Sequence, residues 1–220
     1  MVRRHRDTKT RVAAQAGTEK RAPREKRITG GAWRFAGAIG VTGEPPELAM
    51  PEVAFAGRSN VGKSSLINCF TRHGGLARTS KTPGRTQEVN FFVGPSPISL
   101  ADLPGYGFAR APAHVRAQWR PMVERYISGR EALRAIVVVV DSRRGLTEGD
   151  RVMITFAEDH GKDILVVASK VDKLKREARR KALSALRADV AEVFPFSALS
   201  KEGIVEIRKR LESYGRAAVG

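Results

Sequence analysis

The chain has 220 residues, enough for one domain with an extension, and its 41% hydrophobic and 29% charged residues are typical of a globular protein. Its longest apolar run, residues 135–140, is far too short to span a bilayer, and its single cysteine, Cys69, excludes an internal disulfide. The net charge of +17 at pH 7 indicates a polyanionic partner.

Residues 1–30 form a basic extension. They contain ten Lys and Arg residues against three acids, and almost no large apolar side chains. Such a segment cannot bury enough apolar surface to fold alone, so we predict that it is disordered and contacts a polyanion. A solubilising tail and an organelle address are the alternatives. We expect residues 31–220 to form one folded domain.

A strand, a glycine-rich loop and a helix are predicted between residues 53 and 70. Residues 53–56 suit a buried strand, and Leu66, Ile67 and Phe70 recur at helical spacing. The loop between them matches the phosphate-binding P-loop pattern and reads Gly57-Arg58-Ser59-Asn60-Val61-Gly62-Lys63-Ser64. We expect its N–H groups to bind phosphates, Lys63 to reach the β- and γ-phosphates, and Ser64 to ligate Mg²⁺. A surface turn before a helix is the alternative.

Two later segments are predicted to complete the phosphate end of this site. Thr86 is expected to supply a second hydroxyl ligand to Mg²⁺. The segment Asp102-Leu103-Pro104-Gly105 follows a strand at 98–101. There Asp102 would hold Mg²⁺ through water, and the Gly105 N–H would bind the γ-phosphate. Loss of that phosphate would release both segments, which is an order–disorder switch.

The other elements alternate between strands and helices. We predict strands at 89–93, 98–101, 136–140, 164–168 and 193–196, and a helix capped by Thr147 and Asp150. Pro121 is expected to kink or restart the helix that follows the Asp102 segment. The alternation predicts a three-layer α/β fold: a six-stranded, mostly parallel sheet with one antiparallel edge strand, residues 89–93, and helices on both faces.

The base is expected to be recognised by the segment Ser169-Lys170-Val171-Asp172, after the strand at 164–168. A buried Asp172 carboxylate would accept hydrogen bonds from guanine N1–H and the 2-amino group, donors that adenine lacks at these positions. Lys170 would pack its stem against the base. Ser197 and Ala198 would close over the base. A polar strand-to-helix turn is the alternative for 169–172.

A second basic cluster follows this segment. It contains six cations and one acid, and the apolar spacing of Leu183, Leu186 and Val190 predicts that the charges face outward. A solvated helix face and RNA contact remain equal alternatives. The cations are Lys173, Lys175, Arg176, Arg179, Arg180 and Lys181.

Three stretches resemble the EngB family (YihA or YsxC), bacterial GTPases implicated in assembly of the large ribosomal subunit. They are Glu52 to Leu66, Leu76 to Gln87 (Lys81-Thr82-Pro83-Gly84-Arg85-Thr86-Gln87 being the most specific part), and Asp102-Leu103-Pro104-Gly105-Tyr106-Gly107. The resemblance covers residues 35–215. Where the family's guanine motif usually has Thr, this chain has Ser169.

The motifs and the resemblance together predict a GTP site with Lys63, Thr86 and Gly105 in catalytic roles. Ser64, Thr86 and Asp102, the last through water, would hold Mg²⁺. The nucleotide-binding residues are expected to be Gly57, Arg58, Ser59, Asn60, Val61, Gly62, Lys63, Ser64, Gly84, Arg85, Thr86, Gln87, Glu88, Asp102, Leu103, Pro104, Gly105, Ser169, Lys170, Val171, Asp172, Phe196, Ser197 and Ala198.

Hydrolysis is expected to be slow. Ras-like switches place a Gln directly after the Asp-x-x-Gly segment to orient the attacking water, and this chain has Tyr106 there. Two agents are candidates to complete the site. One is K⁺ bound by Asn60, which resembles the potassium ligand of related GTPases; a simple loop hydrogen bond by Asn60 is the alternative. The other is a ribosomal partner that orders residues 78–88.

The resemblance implies a cytoplasmic, monomeric GTP/GDP switch that binds the precursor of the large (50S) ribosomal subunit, its rRNA and its proteins. Residues 1–30 would contact rRNA phosphates, with no membrane or DNA partner. A role in septation and cell division is also implied. The alternatives are a regulatory GTPase of another pathway, an RNA-binding module with a structural nucleotide, and a P-loop ATPase or kinase.

Overall fold

The structure is a computed structural model that describes residues 31–77, 88–106 and 113–216, with the backbone alone for 113–119. The predicted basic extension, 1–30, lies outside these residues. Within the described ranges, no helix is long and apolar enough to cross a membrane.

In the described ranges, seven strands form a single sheet. They are β1 (Arg34–Ile39), β2 (Glu52–Gly57), β3 (Val89–Val93), β4 (Ser99–Asp102), β5 (Leu133–Asp141), β6 (Asp163–Ser169) and β7 (Val193–Pro195). Their order is β1-β3-β4-β2-β5-β6-β7. The pairs β4–β2, β2–β5, β5–β6 and β6–β7 are parallel, whereas β3 is antiparallel to β1 and to β4. The predicted α/β class and the β3–β4 hairpin are confirmed.

β1 corrects the predicted strand count from six to seven. It pairs with β3, so β3 is not the edge strand that the sequence predicted. The pairing register shifts between Phe35 and Gly37, and Phe35 remains exposed. This irregularity breaks the alternation of polar and apolar residues by which a half-buried strand is recognised in a sequence.

Five α-helices, counted over the part of the chain that the structure describes, cover the sheet. They are α1 (Lys63–Thr71), α2 (Ala113–Gly129), α3 (Glu148–Asp159), α4 (Arg176–Asp189) and α5 (Ile204–Arg216), and a short 3₁₀ turn spans Val171–Lys173. Side chains of α2, α3 and α4 pack on one face of the sheet, and those of α1 and α5 pack on the other. The predicted three layers are therefore present.

Pro121 lies inside α2, which continues through it as one element, so the predicted restart of the helix is wrong. Burial of the apolar side of α2 explains why: Met122, Val123, Tyr126 and Ile127 belong to one core of the sheet. The helix is also held at its end, where the Tyr126 hydroxyl donates to buried Glu52 at 2.6 Å and Arg130 forms an ion pair with the same carboxylate at 3.0 Å.

Candidate nucleotide-binding site

The site lies at the carboxyl edge of the parallel strands. β2, in the middle of the sheet, leads into the P-loop, and the chain passes from it to β3 and β4 on one side and to β5 on the other. Such a change of direction opens a crevice at the strand ends, where ligands bind in open α/β sheets. We call residues 57–64 and 102–105 the phosphate end of the site, and residues 169–172 and 196–198 the guanine end.

The P-loop backbone depends on its two glycines. A Cβ on Gly57, whose φ is 150°, would lie 2.5 Å from the Val139 carbonyl oxygen. Gly62 has a φ of 110° at the N-cap of α1, and no side chain in the described part of the chain caps that terminus. The first amides of α1, which lack a side-chain cap in these ranges, can therefore donate to an anion.

Lys63 and Asp102 form an ion pair across the phosphate end. The Lys63 ammonium contacts Asp102 Oδ1, and both side chains are nearly buried. Asp102 is the last residue of β4 and pairs with Phe55 of β2, which brings it beside the P-loop. The sheet register therefore joins two predicted residues that are 39 positions apart in the chain.

Gly105 and Tyr106 contact the P-loop through Ser59. The Ser59 N–H donates to the Tyr106 carbonyl oxygen at 3.3 Å. A Cβ on Gly105 would lie 3.0 Å from Ser59 Oγ, so the two loops are in direct contact. The Tyr106 hydroxyl donates to Asp150 Oδ1 on α3 at 2.5 Å. Burial is the main cause that raises the pKa of Tyr106 far above its ordinary value, and the neighbouring Asp150 raises this pKa further.

Ser169 and Lys170 attach the guanine end to the P-loop. Ser169 Oγ lies 2.5 Å from the Val61 carbonyl oxygen and 2.9 Å from that of Val140, and its one proton is donated to one of them at a time. The Lys170 ammonium donates to the Asn60 carbonyl oxygen at 2.6 Å and to Asp141 Oδ2 at 3.1 Å. The guanine end is thus hydrogen-bonded to the P-loop, which belongs to the phosphate end.

Asp141, at the end of β5, holds Lys170 in place and was not among the predicted site residues. Arg143 binds its carboxylate with two hydrogen bonds, of 2.8 Å and 2.6 Å. The bonds from Arg143 and then from Lys170 hold the pKa of Asp141 well below its ordinary value. Its position at the carboxyl end of a buried parallel strand, like that of Asp102, was the signal that could have identified it.

Asp172 and Ser197 form the outer part of the guanine end. The Ser197 hydroxyl donates to Asp172 Oδ1 at 2.7 Å, and this bond lowers the pKa of Asp172. The Asp172 side chain is 20% exposed, so the expectation of a buried carboxylate is wrong. The 3₁₀ turn places it on the rim of the crevice, where the carboxylate can face a ligand.

The remaining predicted residues have different positions. Phe196 and Ser197 are buried, whereas Ala198 is exposed. Glu88 is exposed and lies beside Gly40, after the end of β1. Leu103, Val61 and Val171 are buried in the loops that carry the motifs. Gly84, Arg85, Thr86 and Gln87 lie outside the described residues, as do 78–83.

The predicted basic cluster lies on and before α4, with most of its side chains exposed. Leu183 and Leu186 are buried, as their spacing predicts. Arg179 is different, because it forms an ion pair with Glu202 near the guanine end. The capping box predicted for α3 is present: the Thr147 N–H donates to Asp150 Oδ2 at 2.8 Å.

Cavities formed by described residues adjoin the P-loop. A cavity of about 270 Å³ lies between the P-loop, the segment after β5, the start of α3 and Lys170. A larger cavity of about 460 Å³ lies between α2 and α3 and is lined by apolar side chains such as Val123, Met153 and Phe156. Arg58 of the P-loop and Tyr106 also line the larger one.

Comparison with known proteins identifies the family. The family model described as "50S ribosome-binding GTPase" matches residues 52–170. A "Probable GTP-binding protein EngB" of Solibacter usitatus (strain Ellin6076) is 48% identical over 162 residues, which are 74% of this chain and 85% of the relative. The chain belongs to the EngB family. The EngB protein of Geobacter metallireducens is 49% identical over 172 residues, which are 76% of this chain and 83% of the relative.

A solved EngB structure supports the same assignment. The crystal structure of a probable GTP-binding protein engB matches with a TM-score of 0.63 and 25% identity, over 76% of this chain and 99% of that chain. The resemblance predicted from the sequence motifs is therefore confirmed. Membership of EngB makes this chain a GTP-binding protein with a GTPase domain.

Proposed function

We propose that this EngB protein is a slow GTPase that acts as a switch in assembly of the large ribosomal subunit. The observation that carries the nucleotide part is the bonding of Ser169 and Lys170 to the P-loop across 108 and 110 positions of the chain. These bonds bring the P-loop, which suits a triphosphate, and Asp172, which suits guanine, to one crevice.

In this site, Lys63 and the N–H groups at the start of α1 would bind the phosphates. GTP binding must separate Lys63 from Asp102, because the ammonium is then shared with the β- and γ-phosphates. The residues present fit Mg²⁺, since Ser64 and Asp102 offer the hard oxygen ligands that it prefers and both adjoin Lys63. Together with Thr86 they would hold this ion, which neutralises phosphate charge when bound.

The guanine end would select the base through Asp172. The Ser197 hydroxyl donates to its carboxylate and lowers its pKa, and the ionised carboxylate offers two acceptor oxygens to guanine N1–H and the 2-amino group. Adenine would leave this carboxylate without partners, and sites built around such hydrogen bonds reject analogues that lack the donor. Lys170 would cover the base with its methylene stem.

Tyr106 stands at the position that a water-orienting Gln occupies in Ras-like switches. Because its hydroxyl donates to Asp150 on α3, it does not orient the attacking water, and hydrolysis is slow. Potassium bound at Asn60 is one means of acceleration. Asn60 is exposed and has a φ of 64°, so its side chain can meet a ligand from solvent. Single-turnover hydrolysis should be faster in KCl than in NaCl; equal rates would remove the potassium role.

The ribosomal part of the proposal rests on charge and on the family description. The chain carries +17, and its domain matches a family described as binding the 50S subunit. We propose that residues 31–220 form the GTP-binding domain of a cytoplasmic monomer and that residues 1–30 contact rRNA phosphates. Structured RNA is the favoured target, since only 6% of residues are aromatic and few could stack on single strands.

The experiment is co-sedimentation of the purified full chain with precursor 50S particles. We expect binding with a nonhydrolysable GTP analogue, weaker binding with GDP, and loss of affinity and of salt dependence when residues 1–30 are removed. Binding that is independent of the nucleotide would contradict a switch. Normal subunit assembly in cells that carry Lys63→Ala would instead favour an RNA-binding module with a structural nucleotide.

A further inference from the structure

Ser59 contains a buried hydroxyl whose role the site described above leaves open. Its Oγ has no hydrogen-bond partner among the residues that the structure describes. Leaving such a group unsatisfied destabilises the folded state, so a buried hydroxyl of this kind calls for a physical explanation. A partner that arrives with the nucleotide would supply one.

The position of this hydroxyl is at the γ-phosphate end of the crevice. The nearest atom to a Cβ on Gly105 would be Ser59 Oγ, at 3.0 Å, and Gly105 is the residue whose N–H is proposed to bind the γ-phosphate. Lys63, proposed to bind the same phosphate, follows Ser59 on the P-loop. Ser59 Oγ therefore lies beside the point at which the terminal phosphate would meet Gly105.

The neighbouring side chain is directed elsewhere. Tyr106 follows Gly105, but its hydroxyl donates to Asp150 on α3 and its ring is buried. Its backbone contacts the P-loop, where the Tyr106 carbonyl oxygen accepts the Ser59 N–H at 3.3 Å. On the P-loop side of Gly105, Ser59 supplies a side-chain oxygen.

We propose that Ser59 Oγ positions the water that attacks the γ-phosphate, an inference that rests on the GTPase function proposed above. Ser59 Oγ is buried in this structure and must become accessible when GTP binds; the hydroxyl then accepts a hydrogen bond from that water. The water oxygen forms a bond to the γ-phosphorus while the bond from this phosphorus to the β–γ bridging oxygen breaks. The electron pair of the broken bond leaves with GDP, and the water proton passes to a phosphate oxygen. Ser59 itself is unchanged.

The test is single-turnover GTP hydrolysis by Ser59→Ala. We expect the rate to fall at least about tenfold, the size of effect of a lost positioning group. Affinities for GDP and for a nonhydrolysable GTP analogue should stay within about twofold, because the hydroxyl acts on the water and not on the bound nucleotide. Ser59→Thr, which keeps the hydroxyl, should hydrolyse GTP faster than Ser59→Ala.

Ser142→Ala is the matched control. Ser142 Oγ is the other buried side-chain oxygen without a partner in the described ranges, and Ser142 follows β5, outside the predicted site residues. Its hydrolysis rate should equal that of the wild type. Both alanine variants should unfold at the wild-type temperature or above, since each loses only an unsatisfied hydroxyl.

A hydrolysis rate of Ser59→Ala within twofold of the wild type would overturn the inference. So would a lower rate combined with weaker binding of the GTP analogue, because the hydroxyl would then bind the γ-phosphate itself. If the wild type shows no GTP binding, the proposed function fails first and this inference with it. Wild-type binding and hydrolysis with an unaffected Ser59→Ala would overturn the inference alone.

Discussion

The guanine end and the phosphate end share one edge of the sheet, but their polar side chains are satisfied in different ways. At the guanine end, Ser169, Lys170 and Asp172 each have a partner within the protein, and two of them bind the P-loop. At the phosphate end, Lys63 and Asp102 bind each other, while Ser59 Oγ has no partner in the described ranges.

This difference indicates which half of the site is formed before the nucleotide arrives. The guanine end would keep its hydrogen bonds when a base is added, so we expect it to select the base at little cost in ordering. The phosphate end must exchange a nearly buried ion pair for ligand contacts. Ligand-dependent change is therefore expected at the phosphate end, where a switch needs it.

Breaking the ion pair of the phosphate end should have the largest effect. In Lys63→Ala, Asp102 is left nearly buried without its ammonium partner, so the free energy of unfolding should fall by about 3 kcal/mol. GTP affinity should fall on the order of 100-fold, because a charged contact to the phosphates is lost. Denaturant unfolding and nucleotide titration measure the two effects.

The double variant Lys63→Ala/Asp102→Ala separates these causes. It should recover most of the lost stability, since no charge is left unpaired, but it should not recover GTP affinity. A double variant as unstable as Lys63→Ala would show that the ion pair does not explain the loss.

Changing the base-reading carboxylate should rank second. Asp172→Asn replaces an acceptor oxygen by an NH₂ group that faces guanine donors, so GTP affinity should fall on the order of 100-fold. A xanthosine nucleotide, with oxygen in place of the 2-amino group, should regain part of the affinity. Competition titrations measure this, and an unchanged preference for GTP over ATP would refute the guanine assignment.

Cutting the connection between the guanine end and the P-loop should have a smaller effect. Ser169→Ala leaves the Val61 and Val140 carbonyl oxygens without this donor, so the free energy of unfolding should fall by about 1 kcal/mol. GDP affinity should fall about fivefold, because that energy no longer positions the loop. Ser169→Thr keeps the hydroxyl and should behave as the wild type; equal losses in both variants would contradict the hydrogen-bond explanation.

The smallest effect is expected in the pH dependence of GDP binding. The Ser197 hydroxyl lowers the pKa of Asp172, so the ionised carboxylate, and the affinity that depends on it, is lost only when the pH falls through that lowered pKa. Ser197→Ala raises this pKa, and loss of GDP affinity should begin at a higher pH. Titrations between about pH 3 and pH 6, a range that spans the ordinary Asp pKa of about 3.9, test this; coincident profiles would remove Ser197 as the cause.

Much of the fold and of the candidate site could be predicted because the signals are local. Strand β3 has the predicted bounds, 89–93, and the other five predicted strands differ at their ends by up to three residues. The edge strand β1 was missed because its irregular register and its exposed Phe35 remove the alternating pattern. Pro121 was expected to interrupt a helix that packing against the sheet keeps continuous.

The sequence by itself determined the chemistry of the ligand. A P-loop and a guanine motif encode their backbone shapes and polar groups in a few adjacent residues, and together they predicted GTP binding, whereas the resemblance of residues 52–66, 76–87 and 102–107 predicted the EngB family. Only the tertiary structure decided the partners: Lys63 with Asp102, Lys170 with Asp141, and Tyr106 with Asp150, pairs separated by 39, 29 and 44 positions. Such pairs depend on strand order and register, which join distant segments and leave no trace in any short stretch of sequence.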